Sequence, residues 1–243
     1  MSKELASKER RIPLSYERVG EPLAELRDIF ENLWVKGLFP SFESLPPQIT
    51  LTSQLNNLID LELANALERK ERKITRSFFY TPDVGILAGE RRRGGFSEKS
   101  QRRATSYAFK RYNLAFLGIV RPHPFEEEAL FSQEEMVYFL SNPKDLFIIA
   151  VAKEGIRLAL KFQETKSGPY SRIHPLLFQC YKFCETDSFK KIKEKHPEIS
   201  EEELFPVLHR QTELAFNLKV AQEFMLGLYS SSEKNTEILK RIH

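Results

Sequence analysis

The stretch LGIVRPHPFEEEALFSQEEMVYFL, Leu117 to Leu140, decides the reading of this chain. Its apolar opening belongs to a strand expected from Asn113 to Val120, which runs into the turn Arg121-Pro122-His123-Pro124. A helix is expected from Ser132 to Ser141, with Ser132 as cap and Glu135 three residues on, in the capping-box position. Alternate side chains of an extended segment face the same way, so Arg121 and His123 should share one side. Ser132 and Glu135, three apart at a helix start, can face that same side from the helix. Strand, turn and helix together bring four polar side chains toward one pocket.

Reading outward, Leu146–Ala152 and Ile156–Phe162 form two strands across Lys153-Glu154-Gly155, a hairpin signal. Upstream, Val84–Gly89 (VGILAG) is a compact apolar run that suits a buried strand. Ile49–Ser53 reads as a short strand, with Thr52 or Ser53 capping a helix over Gln54–Arg69. That helix carries more apolar residues than one face requires, so substantial burial is expected. Pro22–Lys36 reads as an amphipathic helix, and the Gly- and Pro-containing stretch after it as a linker. The first twenty residues read as a polar, basic, mobile tail, and the chain from Ile173 onward as helical.

The order of these elements resembles the JAB/MPN (JAMM) metalloprotease domain, a cytidine-deaminase-like α/β fold. The resemblance covers roughly Ile49 to Thr165 and rests on three pieces: Ile49-Thr-Leu-Thr-Ser53 entering its helix, Gly85-Ile-Leu-Ala-Gly89, and Gly118-Ile-Val-Arg-Pro-His-Pro124 with Phe131-Ser-Gln-Glu-Glu135. It implies a mixed sheet flanked by helices over residues 47–168, preceded by a tail and helix (1–46) and followed by a helical extension (169–243). Active members of that family hold zinc with two His and one Asp, use a Glu as general base and a Ser as oxyanion donor. Here Arg121 falls on the first His, His123 on the second, Ser132 on the Ser and Glu135 on the Asp. Pro82 stands where the base is expected, with Asp83 beside it.

These departures carry physical weight. Catalytic zinc has three protein ligands and a water, and only His123 and Glu135 are candidates for metal here. Arginine is always protonated and adds positive charge where a cation should sit. An Arg121–Glu135 ion pair, favoured by bidentate geometry, is expected to tie strand to helix in place of the metal. His123 reads either as a residual ligand or as a hydrogen-bonded residue fixing the turn. Ser132 reads as helix cap or oxyanion donor, and Asp83 as turn residue or displaced base. No cofactor is expected, or zinc if the chain is a hydrolase.

Composition narrows the classes. Of 243 residues, 41% are hydrophobic and nineteen are Phe, so a large core is available, and a net charge of +3 does not by itself argue for nucleic acid. No apolar run approaches a membrane span and no signal sequence opens the chain, so no membrane association is expected. Cys180 and Cys184 are the only cysteines and read as reduced thiols, which points to the cytoplasm. Between Glu68 and Arg111 thirteen Lys/Arg face five Asp/Glu, and Glu90–Ser106 reads as a long loop. Its Arg91, Arg92, Arg93, Lys99, Arg102 and Arg103, interleaved with Gly and aromatics, are candidates for gripping nucleic acid or another polyanion. A solvated loop, or one docking an acidic protein, accounts for them as well.

The leading expectation is a catalytically silent JAB/MPN-like module for protein interaction, with a protein partner or self-association through the terminal helices. A divergent zinc-dependent peptidase or isopeptidase and a polyanion-binding protein are the alternatives.

Overall fold

In the computed structural model, residues 16–20, 24–70, 74–93, 111–231 and 237–243 are described, the side chains of residues 92 and 93 excepted. Among the described residues nine strands form one mixed sheet: β1 (Glu17–Gly20), β2 (Gln48–Thr50), β3 (Ile74–Thr81), β4 (Gly85–Arg93), β5 (Ala115–Pro122), β6 (Phe147–Ala152), β7 (Gly155–Lys161), β8 (Leu226–Ser230) and β9 (Ile238–Arg241). Five α-helices are described in full: α1 (Arg27–Lys36), α2 (Ser53–Glu68), α3 (Gln133–Ser141), α4 (Tyr170–Lys195) and α5 (Glu201–Phe224). The strand order is β1-β4-β3-β5-β6-β7-β8-β9-β2. Among these strands only β5 and β6 run parallel, and α3 lies on the crossover between them.

The sheet has two covered faces because its central strands alternate between two apolar sets. Phe147, Ile149 and Val151 of β6, with Ile156, Leu158 and Leu160 of β7, pack with Leu26, Ile29 and Phe30 near α1 and Leu55, Leu58 and Ile59 of α2. Ile148, Ala150 and Ala152, with Ala159, face Met136 and Phe139 of α3, Leu177 of α4 and Phe216 and Val220 of α5. Small alanines on this second face let three helices lie close to the sheet. The result is a three-layer α/β/α arrangement.

Gly118 marks the seam where β5 meets β6. It pairs with Phe147, and a Cβ there would run into the Phe147 carbonyl, so only glycine allows the two strands to close. Opposite Phe78 and Phe79, β5 carries one extra residue, Leu117, and this bulge turns Leu117 and Val120 toward one face while Phe116 and Ile119 take the other.

The elements from β5 to β7 lie within a residue or two of the positions read from the sequence. Elsewhere the structure corrects that reading. β3 is an unforeseen strand, and it pairs with both β4 and β5. Glu90 to Arg93, expected in a loop, continue β4, while the rest of that stretch to Ser106 lies outside the described residues. Glu17–Gly20, expected in a mobile tail, is an edge strand on β4. The last stretch is helical only to Phe224; β8 then pairs with β7 and β9 with β2, so the one sheet draws strands from the start, middle and end of the chain. α2 buries Leu55, Leu58 and Ile59 but leaves Leu61 and Leu67 exposed, so it is amphipathic rather than enclosed. No helix among the described residues is long and apolar enough to cross a membrane.

Candidate functional site

The four polar residues of the diagnostic stretch do converge, on the α3–α5 face at the C-terminal end of β5. Arg121 is the penultimate residue of β5. The His123 amide donates to the Val151 carbonyl at 2.7 Å, which extends the ladder one step past the strand and fixes the turn. Across the cleft, the Ser132 hydroxyl accepts from the Glu135 amide at 3.3 Å, and the Glu135 carboxylate accepts from the Ser132 amide at 2.9 Å, completing a capping box.

Glu135 is the hub. One oxygen, Oε2, takes the Ser132 amide and the Ser132 hydroxyl, the latter at 3.1 Å. The other, Oε1, sits 2.9 Å from His123 Nε2 and 3.4 Å from Arg121 Nε. The expected Arg121–Glu135 ion pair therefore exists, but the histidine holds the nearer position and the guanidinium's closest approach, through Nε, is longer than a hydrogen-bonded fork. Burial pushes the Glu135 carboxyl up, but His123, Arg121 and the Ser132 amide outweigh it and hold the group at about 2. Burial pushes His123 down, and the charge and hydrogen bond of Glu135 outweigh that, so its pKa is raised and the protonated form is favoured. The helix N-terminus adds to the stabilisation of the carboxylate.

A cleft of about 160 Å³ opens beside this cluster, lined by Arg121, His123, Ser132 and Glu135 together with Pro124, Phe125, Glu126 and Glu134. Asp83 is not brought to it. It stands exposed in the β3–β4 turn beside Pro82. The two candidate metal donors, His123 and Glu135, are bonded to each other, with a guanidinium alongside, and this set does not fit a zinc ion. Among the described residues no group of three or more His, Cys, Asp or Glu is placed to hold a metal. The Ser132 hydroxyl donates to Glu135 and accepts from a backbone amide, which is the work of a helix cap. What the arrangement does is hold strand to helix through a buried charge cluster.

Two features around the site escaped the sequence reading. On α5, Asn217 grips Phe131 at two points: its side-chain oxygen accepts from the Phe131 amide at 2.9 Å, and its nitrogen donates to the Phe131 carbonyl at 2.8 Å. Arg210 of the same helix pairs with Glu128, so α5 clamps the loop between His123 and Ser132. Glu213, also on α5, has its pKa raised by burial despite the neighbouring His209 and His123. A second buried charge cluster ties α2 to the sheet. Glu62, 1% exposed, takes Arg76 at 2.7 Å and both Nε and an Nη of Arg91 at 2.7 and 2.9 Å, and Arg76 reaches on to Glu17. Burial pushes Glu62 up, and the two arginines overcome it and lower its pKa.

That cluster engages one of the polyanion candidates. Arg91 is committed to Glu62 and is not a free cation. Arg92 and Arg93 pair in the β3–β4 ladder through their backbones, and Lys99, Arg102 and Arg103 lie outside the described residues.

No protein-family model, no curated protein and no solved structure matches this chain.

Proposed function

We propose that this chain is a catalytically silent JAB/MPN-like module that serves protein interaction. The observation that supports this reading is the His123–Glu135–Arg121 cluster. At the positions where the family would hold zinc, a carboxylate stands against a guanidinium and a histidine whose protonated form it favours. A charge cluster of this kind does structurally what a bound cation would do: it satisfies a buried carboxylate and links strand to helix. The Ser132 hydroxyl is engaged by the helix start, and Pro82 offers no base to activate water. The domain would thus serve as a scaffold, and its surface would carry the function.

A reversion experiment tests the reading. Arg121→His with Glu135→Asp restores the ligand types of an active JAB/MPN centre on the same backbone. The double variant is expected to bind zinc stoichiometrically while the parent protein does not. A double variant that folds but binds no zinc would sever the proposed correspondence with the JAB/MPN site.

A further inference from the structure

We infer that the groove between α4 and α5 is a docking site for an acidic amphipathic helix of a protein partner. The inference rests on the interaction-module reading only in assigning the occupant to another protein.

The two helices form an antiparallel pair joined by five residues, 196–200, with Tyr181 of α4 against Phe216 of α5. α4 turns Leu177, Cys184 and Ile192 into the core. Beside that buried row a groove of about 750 Å³ runs along the pair, with Ile173, Leu176, Phe183 and Phe224 among the residues lining it. Phe183 is 59% exposed and Leu176 44% exposed. Large apolar side chains lining a concave surface are what a partner helix covers.

The charge around the groove selects the occupant. Lys166, Arg172 and Lys219 line it, against the single carboxylate of Glu223. Lys219 is already paired with Glu223 at 3.0 Å and lies over the Phe183 ring at 4.5 Å. Among the described residues the side chains of Lys166 and Arg172 form no ion pair, so two exposed cations flank an apolar floor. A segment with acidic residues beside its apolar stripe complements both. Phe183 lies eleven positions beyond Arg172 on α4, about 17 Å along the axis, which matches about three turns of a helix laid in the groove. A two-fold dimer through this face would set cation against cation, which argues against a second copy as the occupant.

The test uses the full chain to select from a displayed library of random sixteen-residue peptides, followed by fluorescence anisotropy on the selected peptides. Enrichment of Leu or Phe at three-four spacing with flanking Asp and Glu is expected. Affinity should fall more than tenfold in Phe183→Asp and in the double variant Lys166→Glu with Arg172→Glu, and should weaken as salt rises. All three positions lie on the surface of the groove, and matching circular dichroism melts would show that the variants fold. Selection of no peptides, of basic ones, or of peptides indifferent to these substitutions would overturn the inference. So would a concentration-dependent dimer in sedimentation that Phe183→Asp abolishes, since the occupant would then be a second copy. Stoichiometric zinc binding at His123 would sink the silent-module reading and leave the groove result standing, so the two failures are distinguishable.

Discussion

Replacing Glu135 by Gln removes the charge at the hub of the site and keeps its shape. In the folded chain the carboxyl titrates at about 2, against an ordinary value of 4.5. Two to three units correspond to about 3 kcal/mol of stability, taken as an order of magnitude. The sign follows from proton binding. Between pH 4.5 and 2 the unfolded chain holds more protons on this group than the folded one, so its contribution is fully present above 4.5 and is lost as pH falls through about 2. His123 works in the opposite sense: its pKa is raised above 6.5, so its share is full below that value and disappears as pH rises through the raised one. The cluster therefore contributes most between about pH 4.5 and 6.5. Urea denaturation from pH 2.5 to 8 is the assay. Glu135→Gln should cost about 3 kcal/mol near pH 5.5 and much less near pH 2.5. His123→Ala should cost more than Arg121→Ala, because the histidine lies at 2.9 Å and the guanidinium at 3.4 Å. Parallel pH profiles for parent and Glu135→Gln would refute the buried-carboxylate argument.

Three further substitutions probe the frame that holds the site. Glu62→Ala leaves Arg76 without its buried partner and should destabilise by about 3–5 kcal/mol, read from chemical denaturation. Lys161→Met removes a fully buried ammonium that donates at 2.6 Å to the Phe139 and Asn142 carbonyls at the end of α3, so a loss of about 2–4 kcal/mol is expected in the same assay. Asn217→Ala should release the Phe131 loop from α5, with faster hydrogen exchange across residues 125–132 and a global loss of about 1–3 kcal/mol.

The segment from β5 to β7 was legible because its signals are local. Ser132 and Glu135 write a helix start, Gly155 opens β7 at φ 156° directly after the hairpin turn, and the apolar runs around them have strand length. β3 was not legible, because ITRSFFYT is buried on both faces and so shows no alternation, and its Arg76 reads as a surface residue until Glu62 is placed against it. The partners of that cluster are fourteen to fifty-nine residues apart, and nothing short-range connects them. β8 was hidden because α5 stops at Met225, a non-glycine residue in the left-handed region at φ 58°, where sequence reasoning looks for glycine or asparagine. At the site itself the convergence of Arg121, His123, Ser132 and Glu135 followed from strand and helix periodicity alone. Which cation lies nearer to Glu135 did not, since it depends on how closely the 123–132 loop is held by Asn217 and Arg210 of a helix some eighty residues away.

The most direct test of the silent-module account is elemental analysis of chelator-free protein after zinc incubation and desalting. The account predicts no stoichiometric metal, with the protein as stable after incubation as before it. One zinc per chain, lost on His123→Ala, would contradict it and place a working metal centre where the charge cluster stands.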